Sequence, residues 1–394
     1  MLRFKADDGS EFPDWTYEKL GHYITVYTDK TSDKNKYPLY SLTIEDGVVP
    51  KTDRYEREFL LTKEGDTYKI VPPNAFVYNP MNLRFGALKV NHEKFSVSVS
   101  GYYDVFSMGS EDTLVFWENY LLSHHMINWY NAIATGSLVE KKRVHFSQFV
   151  EIRKLIPSLP EQKKIADFLS AIDTVIQKSR DEVAAWEKRK KGVMQKIFSQ
   201  EVRFKKDDGS DYPDWEEKKL GDIFSERVKR ANGDEELLSV TIASGVIRQS
   251  DSDKRVIASE NKSNYKIVCE GDLAYNTMRM WQGAEGVSEY NGIVSPAYTI
   301  ITPISNNNVR FFEIMFKQTF MLHTFQRYSQ GLTSDTWNLK YPTFAQINCM
   351  VPCLDEQDKI VNMLLQMDDV INQCKAELEK WKLLKKGLLQ QMFV

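Results

Sequence analysis

The chain repeats itself. Residues 3–21, RFKADDGSEFPDWTYEKLG, return at 203–221 as RFKKDDGSDYPDWEEKKLG, with 13 of 19 positions identical. Residues 156–198, IPSLPEQKKIADFLSAIDTVIQKSRDEVAAWEKRKKGVMQKIF, return at 351–393 as VPCLDEQDKIVNMLLQMDDVINQCKAELEKWKLLKKGLLQQMF. The 394 residues are therefore two tandem copies of one plan, a globular block followed by a long helix. Internal repetition constrains architecture before any local pattern does. It predicts a pseudo-two-fold molecule that presents two similar surfaces to something gripped in two places.

The helices carry the clearest pattern. In the first, Ile165, Leu169, Ile172, Ile176, Ser179, Val183, Trp186, Lys190, Val193 and Ile197 follow alternating steps of four and three, which is one helix face. The same ten positions of the second read Ile360, Leu364, Met367, Ile371, Cys374, Leu378, Trp381, Lys385, Leu388 and Met392. A helix over about 161–199 is roughly 58 Å long, too long for one small domain to cover. We expect the two helices to pair, antiparallel, along these stripes, with Ile165, Leu169, Ile172, Ile176, Trp186, Val193, Ile360, Leu364, Met367, Ile371, Trp381 and Leu388 in the seam. Gly192 and Gly387 fall at equivalent helical positions, which suggests a close backbone approach. Ser158 with Glu161 spells a capping box at the first start, and Asp355 is a candidate N-cap at the second.

The globular blocks read as a mixed α/β or α+β fold. Candidate strands are Pro38–Ile44, Tyr68–Val71 and Ala75–Tyr78, then Leu237–Ile242, Tyr265–Val268, Leu273–Tyr275 and Ala297–Ile301. Helical patterns fall near Leu114–Tyr130 and Val309–Gln326. The blocks diverge far more than their flanks. Tyr78-Asn79, Met81 and Gly86 still match Tyr275-Asn276, Met278 and Gly283, and Gly136 matches Gly331. One framework carrying two different readers is the simplest account. The expected domains are 1–155 and 201–350, with helices over 156–200 and 351–394.

Composition limits the function. The net charge is −3, and the two blocks hold 19 basic against 21 acidic residues (1–155) and 18 against 21 (201–350). A free-standing nucleic-acid binder carries a strong basic excess. Contact with DNA therefore requires clustering of positive groups on one face, or phosphate contacts from partner subunits. No run of eighteen apolar residues suggests a membrane span, and MLRFKADDGSEF lacks a signal-peptide core. All four cysteines lie in the second copy, so a duplicated disulfide framework is not expected; free thiols in the cytoplasm are.

Catalytic patterns are missing. There is no G-x-x-x-x-G-K-[ST] loop, no G-x-G-x-x-G turn, no G-x-S-x-G elbow and no H-E-x-x-H. Asn79-Pro80-Met81-Asn82 lacks the second proline and the aromatic of an aminomethyltransferase motif. Pro213-Asp214 with Glu216-x-Lys218 loses both of the latter in the first copy, so a nuclease metal site is not supported. His124-His125 diverge by about 100° on a helix and lack partners at zinc spacing. Trp15 and Trp215 are expected to anchor cores.

L-P-E-Q-x-K-I (Leu159–Ile165), L-D-E-Q-D-K-I (Leu354–Ile360), the K-K-G-hydrophobic-hydrophobic-Q ends (Lys190–Gln195, Lys385–Gln390) and P-D-W-x-x-x-K-L-G together resemble the specificity subunits of type I restriction-modification systems. The resemblance spans the whole chain. It implies a non-catalytic DNA reader with two tandem target recognition domains joined by two long helices forming an antiparallel coiled coil. Each domain would read one half of a split, asymmetric DNA site. The helices would set the gap and dock two methyltransferase subunits, with restriction (motor-nuclease) subunits joining for cleavage. S-adenosylmethionine, ATP and magnesium would reside on those partners.

Base readout is expected where the copies differ and planar polar side chains cluster. In the first block these are Arg54, Arg57, Asn79, Asn82, Arg84, Lys141, Lys142 and Arg143. In the second they are Arg248, Lys254, Arg255, Asn276, Arg279, Gln282, Thr333, Ser334, Trp337 and Asn338. Arginine forks suit guanine, and Asn or Gln amides suit adenine. The other reading is a duplicated scaffold that assembles proteins through its helices without touching DNA. The two differ in whether basic and amide side chains gather on one face of each block.

Overall fold

The computed structural model describes residues 2–51, 67–138, 142–231, 235–252, 262–304 and 306–393. The chain divides into two compact units, 1–183 with 374–394, and 184–373. The division falls inside both long helices, which run Leu159–Phe198 (40 residues, the central helix) and Leu354–Met392 (39 residues, the distal helix).

In the first unit a four-stranded antiparallel sheet is ordered Ile24–Tyr27, Asp104–Met108, Phe76–Tyr78, Leu88–Val90. A hairpin, Tyr40–Thr43 with Gly47–Pro50, and a three-stranded sheet of Lys30–Thr31, Tyr68–Val71 and Val97–Val99 stand beside it. The pattern near Leu114–Tyr130 resolves into two helices, Leu114–Leu121 and His124–Ile133. The break falls at Ser123, whose hydroxyl caps the second by accepting from Met126 N. Phe76, Phe106, Phe116, Trp117 and Phe149 fill the core.

The second unit repeats this order as Phe224–Glu226, Tyr298–Pro303, Leu273–Asn276, Glu285–Val287, with the hairpin Leu238–Thr241 and Gly245–Arg248. Its helical stretch is likewise split, into Val309–Phe316 and Thr319–Tyr328. In each unit a short strand pair, Thr16–Lys19 with Arg153–Ile156 or Glu216–Lys219 with Asn348–Val351, closes the block at its root.

The duplicated motifs at the helix starts make duplicated contacts. Glu161 is fully buried and accepts from Arg3 Nε (2.8 Å), Arg3 Nη2 (2.9 Å) and Trp15 Nε1 (3.0 Å). Glu356, also fully buried, accepts from Arg203 Nε (3.2 Å), Arg203 Nη2 (2.7 Å) and Trp215 Nε1 (3.2 Å). Gln162 and Gln357 each donate to a proline carbonyl five residues back, both at 2.9 Å. Lys164 pairs with Asp7 as Lys359 does with Asp207. Glu161 is thus spent on this clamp. The expected capping box is not formed, and Ser158 Oγ is buried without a partner among the described residues. Asp355 is not the second N-cap: it lies in the first turn, and Glu356 N bonds to Cys353 O.

The helices pair antiparallel within each unit. In the first, Ile165 and Leu169 share a core with Met392 and Phe393, while Ile172 and Ile176 pack with Leu378 and against Trp381 and Leu388. In the second, Ile360, Leu364 and Met367 join Ile197, with Trp186 and Val193 packed alongside; Ile371 is buried. The lysine in each stripe has a reason: Lys385 reaches Asp173 at 2.6 Å, and Lys190 pairs with Asp368. Trp186 and Trp381 lie in the seam, half-buried. One expectation needs correction. A Cβ at Gly192 or Gly387 would meet nothing within 4 Å, so neither glycine marks a close approach.

Each helix end plugs a domain core. Phe393 packs edge-on to Phe116 and Tyr120, and Leu2 N donates to Gln391 O at 2.7 Å. Phe198 packs against Phe311 and Trp215, and Val202 N donates to Lys196 O at 3.2 Å.

Removing one member of a buried ion pair strands the other. Glu161→Ala and Glu356→Ala should each cost about 3 kcal/mol, while Lys164→Ala and Lys359→Ala should each cost under about 1 kcal/mol, as read from urea unfolding. Glu285 offers a test of opposite sign. Among the described residues neither of its buried carboxylate oxygens has a hydrogen-bond partner, and Lys317 Nζ stands 3.6 Å away. Burial pushes the carboxyl up to about 8 from 4.5. Between those pH values the folded chain keeps a proton that the unfolded chain releases, so native stability declines as pH rises through that window and levels off above it. Glu285→Leu, the residue found as Leu88 in the first unit, should raise the melting temperature, and by more at pH 8.5 than at pH 5.

Candidate nucleic-acid interface

In each unit, the loop after a central strand (Phe76–Tyr78 or Leu273–Asn276) and the loop after a helix (His124–Ile133 or Thr319–Tyr328) form a rim. The first opens with a fixed turn. Asn79 Oδ1 accepts from Met81 N at 3.0 Å, and Leu83–Phe85 forms one 3-10 turn that ends at left-handed Gly86. Asn276 Oδ1 accepts from Met278 N at 3.0 Å, and Met280–Gln282 ends at left-handed Gly283. The repeated Tyr-Asn-x-Met…Gly signature is thus a turn, and its asparagines hold backbone. It pushes Met81, Asn82 and Phe85 outward in one unit, and Met278 and Arg279 in the other.

The second loop is pinned at its neck. Thr135 and Arg143 exchange two backbone bonds of 2.9 Å, as Gln330 and Asn338 do at 3.0 and 2.9 Å. It is tied to the first loop by Val144 N to Pro80 O (3.0 Å), or by Leu339 N to Thr277 O (2.8 Å). The first unit thereby brings together Asn79, Asn82, Arg84, Lys142 and Arg143. The second brings together Asn276, Arg279, Gln282, Thr333, Ser334, Trp337 and Asn338.

The rims differ chemically. The first is basic: the Arg84 guanidinium lies 4.4 Å over the Phe85 ring, and Arg143 is exposed. The second is aromatic. Trp281 and Trp337 meet edge to face at 5.2 Å, and Arg279 Nη1 sits 3.5 Å from Gln282 Oε1. Arg248 is engaged elsewhere, with Glu236 at 3.3 Å and above the Tyr290 ring. Arg54, Arg57, Lys141, Lys254 and Arg255 lie outside the described residues. The sequence reading passed over Phe85, Trp281 and Leu332. Each falls between or beside positions at which the two copies still match.

A second duplicated feature lies where the helix ends meet the domains. Lys385, Lys386, Leu389 and Gln390 line a cavity of about 890 Å³ with Asp173 and His124 in the first unit. The equivalent Lys190, Lys191, Met194 and Gln195 line one of about 930 Å³ with Asp368 and Lys317 in the second. Among the described residues no group of three His, Cys, Asp or Glu side chains gathers as a metal site. His124 meets Asn128, and His125 meets Lys154 at 2.9 Å. Burial holds both the Lys154 ammonium and the His125 imidazolium below their ordinary ranges, and Lys154 further disfavours a charged His125. All four cysteines are free thiols. No described helix is long and apolar enough to cross a membrane.

A duplicated framework with paired helices, bearing two rims of different chemistry, defines a tandem recognition protein. The type I restriction modification DNA specificity domain matches twice, over residues 20–184 and 212–380, and the chain belongs to that family. A putative type I restriction enzyme specificity subunit of Methanocaldococcus jannaschii, MjaX, is 22% identical over 407 residues, covering 98% of this chain and 94% of that protein. The MjaVIII specificity subunit of the same organism is 38% identical over 80 residues, 19% of each chain. Among solved structures, the specificity subunit from M. genitalium superposes with a TM-score of 0.53 at 14% identity, over 100% of this chain and 99% of that one. A chain from a study of complex assembly and conformational transition in a type I system reaches a TM-score of 0.58 at 14% identity, over 98% and 99%. The chain is accordingly a non-catalytic DNA-recognition component of a restriction-modification system.

Because Asn276 holds a turn, Asn276→Ala should cost about 1 kcal/mol of unfolding free energy, measured by denaturant titration. A loss of DNA recognition without any loss of stability would contradict that role.

Proposed function

We propose that this chain reads a bipartite, asymmetric DNA site, one half with each rim, and docks two methyltransferase subunits at its two duplicated cavities. The observation that carries this reading is one framework bearing two unlike rims. A tandem pair of unlike readers suits an asymmetric target, whereas a symmetric dimer reads a palindrome. Blocks 1–155 and 201–350 act as the recognition domains, and 156–200 and 351–394 as the spacers that set the gap. In the first rim Asn82, Arg84, Lys142 and Arg143 contact the duplex; in the second Arg279, Gln282, Thr333, Ser334, Trp337 and Asn338 do. The matched linings of the two cavities, with Lys191 and Lys386 exposed at equivalent places, suit one kind of partner bound twice. S-adenosylmethionine sits on those partners. ATP and magnesium serve restriction subunits that join the complex in the cytoplasm.

Exchange of residues 222–350 for the matching block of a relative tests this. Methylated adenines mapped across a host genome should show one half of the motif changed, with the other half and the gap retained. Alteration of both halves together, or of neither, would refute independent readers. The purified chain with S-adenosylmethionine and DNA should transfer no methyl group until methyltransferase subunits are added.

A further inference from the structure

The second rim carries a feature that reading by hydrogen bonds does not use. Leu332 is 102% exposed, so its side chain touches nothing in the folded chain. It does not sit on a slack loop. Gln330 and Asn338 close the neck, Thr336 N and Trp337 N both donate to Thr333 O (2.9 and 3.1 Å), and Thr333 N donates to Thr336 Oγ1 at 3.1 Å. Gly331 has φ +149°, and a Cβ there would lie 2.5 Å from Thr336 O. The tip conformation therefore requires glycine, and in it the leucine stands clear of the chain.

Behind the tip stands an aromatic brace. Trp281 and Trp337 pack edge to face, and the Trp281 indole N–H donates to Met278 O at 3.1 Å. Met278 extends the apolar strip and is 40% exposed. Positive charge flanks it: Arg279 and Lys340 are exposed in the same two loops, against the single acid Asp335. In the first unit Ser137 stands at the position of Leu332, and Arg84 and Lys142 stand at those of Trp281 and Trp337; its exposed apolar groups in these loops are Leu138 and Phe85 among the described residues.

An apolar tip on a hydrogen-bonded loop, flanked by Arg279 and Lys340, matches one occupant better than any other: a base step of duplex DNA, apolar between its base pairs and anionic at its edges. We infer that Leu332 is a wedge that enters a base step within the half-site read by the second unit, with the Trp281–Trp337 pair tying its loop to the neighbouring one. The inference rests on the DNA-recognition reading above. Unstacking is easiest at pyrimidine–purine steps, so that half-site should contain one at the point of entry.

The test uses the full chain with its methyltransferase subunits, on a duplex carrying the motif mapped by methylation. 2-Aminopurine is placed in turn at purines of the second half-site, away from the methylated adenine, so that flipping of the target base does not contribute. One position should brighten several-fold on binding, and the ends of the duplex should draw together by energy transfer. Leu332→Ala should return both signals toward those of free duplex, Leu332→Met should retain them, and neither should shift the melting temperature. Specific binding with no brightened position, or signals unchanged in Leu332→Ala, overturns the wedge and leaves the recognition reading standing. Failure of the native complex to bind the motif overturns both.

Discussion

A buried carboxylate organises each unit. Glu161 and Glu356 lie in the first turn of their helices, fully out of water, each held by an arginine fork and an indole N–H. A bare carboxylate at such a site would be costly, so the helix start is stable only when the arginine and the Pro-Asp-Trp segment are in place. In each unit two stretches distant in sequence therefore become ordered together: residues 3–15 with 161, and 203–215 with 356. Everything beyond follows from that junction. The helix leaves the domain in a fixed direction, its stripe finds the antiparallel partner, and its far end delivers Phe198 or Phe393 into a core.

The same logic explains why identity between the copies is concentrated at their flanks. A buried ion pair tolerates no loss of one member, and a helix seam with a paired lysine tolerates no drift in register. The Lys385–Asp173 and Lys190–Asp368 pairs keep a charge in an otherwise apolar stripe by giving it a carboxylate across the seam. The rims carry no such burden. Their turn is held by one asparagine and one glycine over a buried Leu83 or Met280, while Met81, Asn82 and Phe85, or Met278 and Arg279, face solvent. Sequence there is free to change, which is where a recognition function has room to diversify.

The repeat, the helix faces and a minority of the strands were legible in the sequence because each depends on local period. The strand stretches at Tyr68–Val71 and Leu273–Tyr275 match the structure closely for that reason. Features set by tertiary partners were not legible. Ser158 with Glu161 has the spelling of a capping box, but an arginine 158 residues away claims the glutamate. Gly192 and Gly387 recur without any close neighbour, and nothing in the structure accounts for them. The helix over Leu114–Tyr130 is broken because Ser123 caps a new start, which periodicity alone does not reveal. At the rim, the residue types alone placed Asn79 and Asn276 among base readers, whereas their amide oxygens are engaged in turns. Leu332 escaped notice because an exposed leucine carries no signature of its own.

Charge supplies the last link. The whole chain is at −3, and among the described residues each rim offers a few cations: Arg84, Lys142 and Arg143 in one, Arg279 and Lys340 in the other. Neutralising two or three phosphates gives little non-specific affinity and a shallow dependence on salt. On the proposed reading, one rim alone would hold DNA poorly. Two rims on one chain convert the second contact into an intramolecular one, and affinity then multiplies without additional charge. Methyltransferase subunits docked at the two cavities would supply the remaining phosphate contacts. A weak electrostatic grip is thus an advantage for a reader: it limits binding to sites where both halves fit and the partners are present.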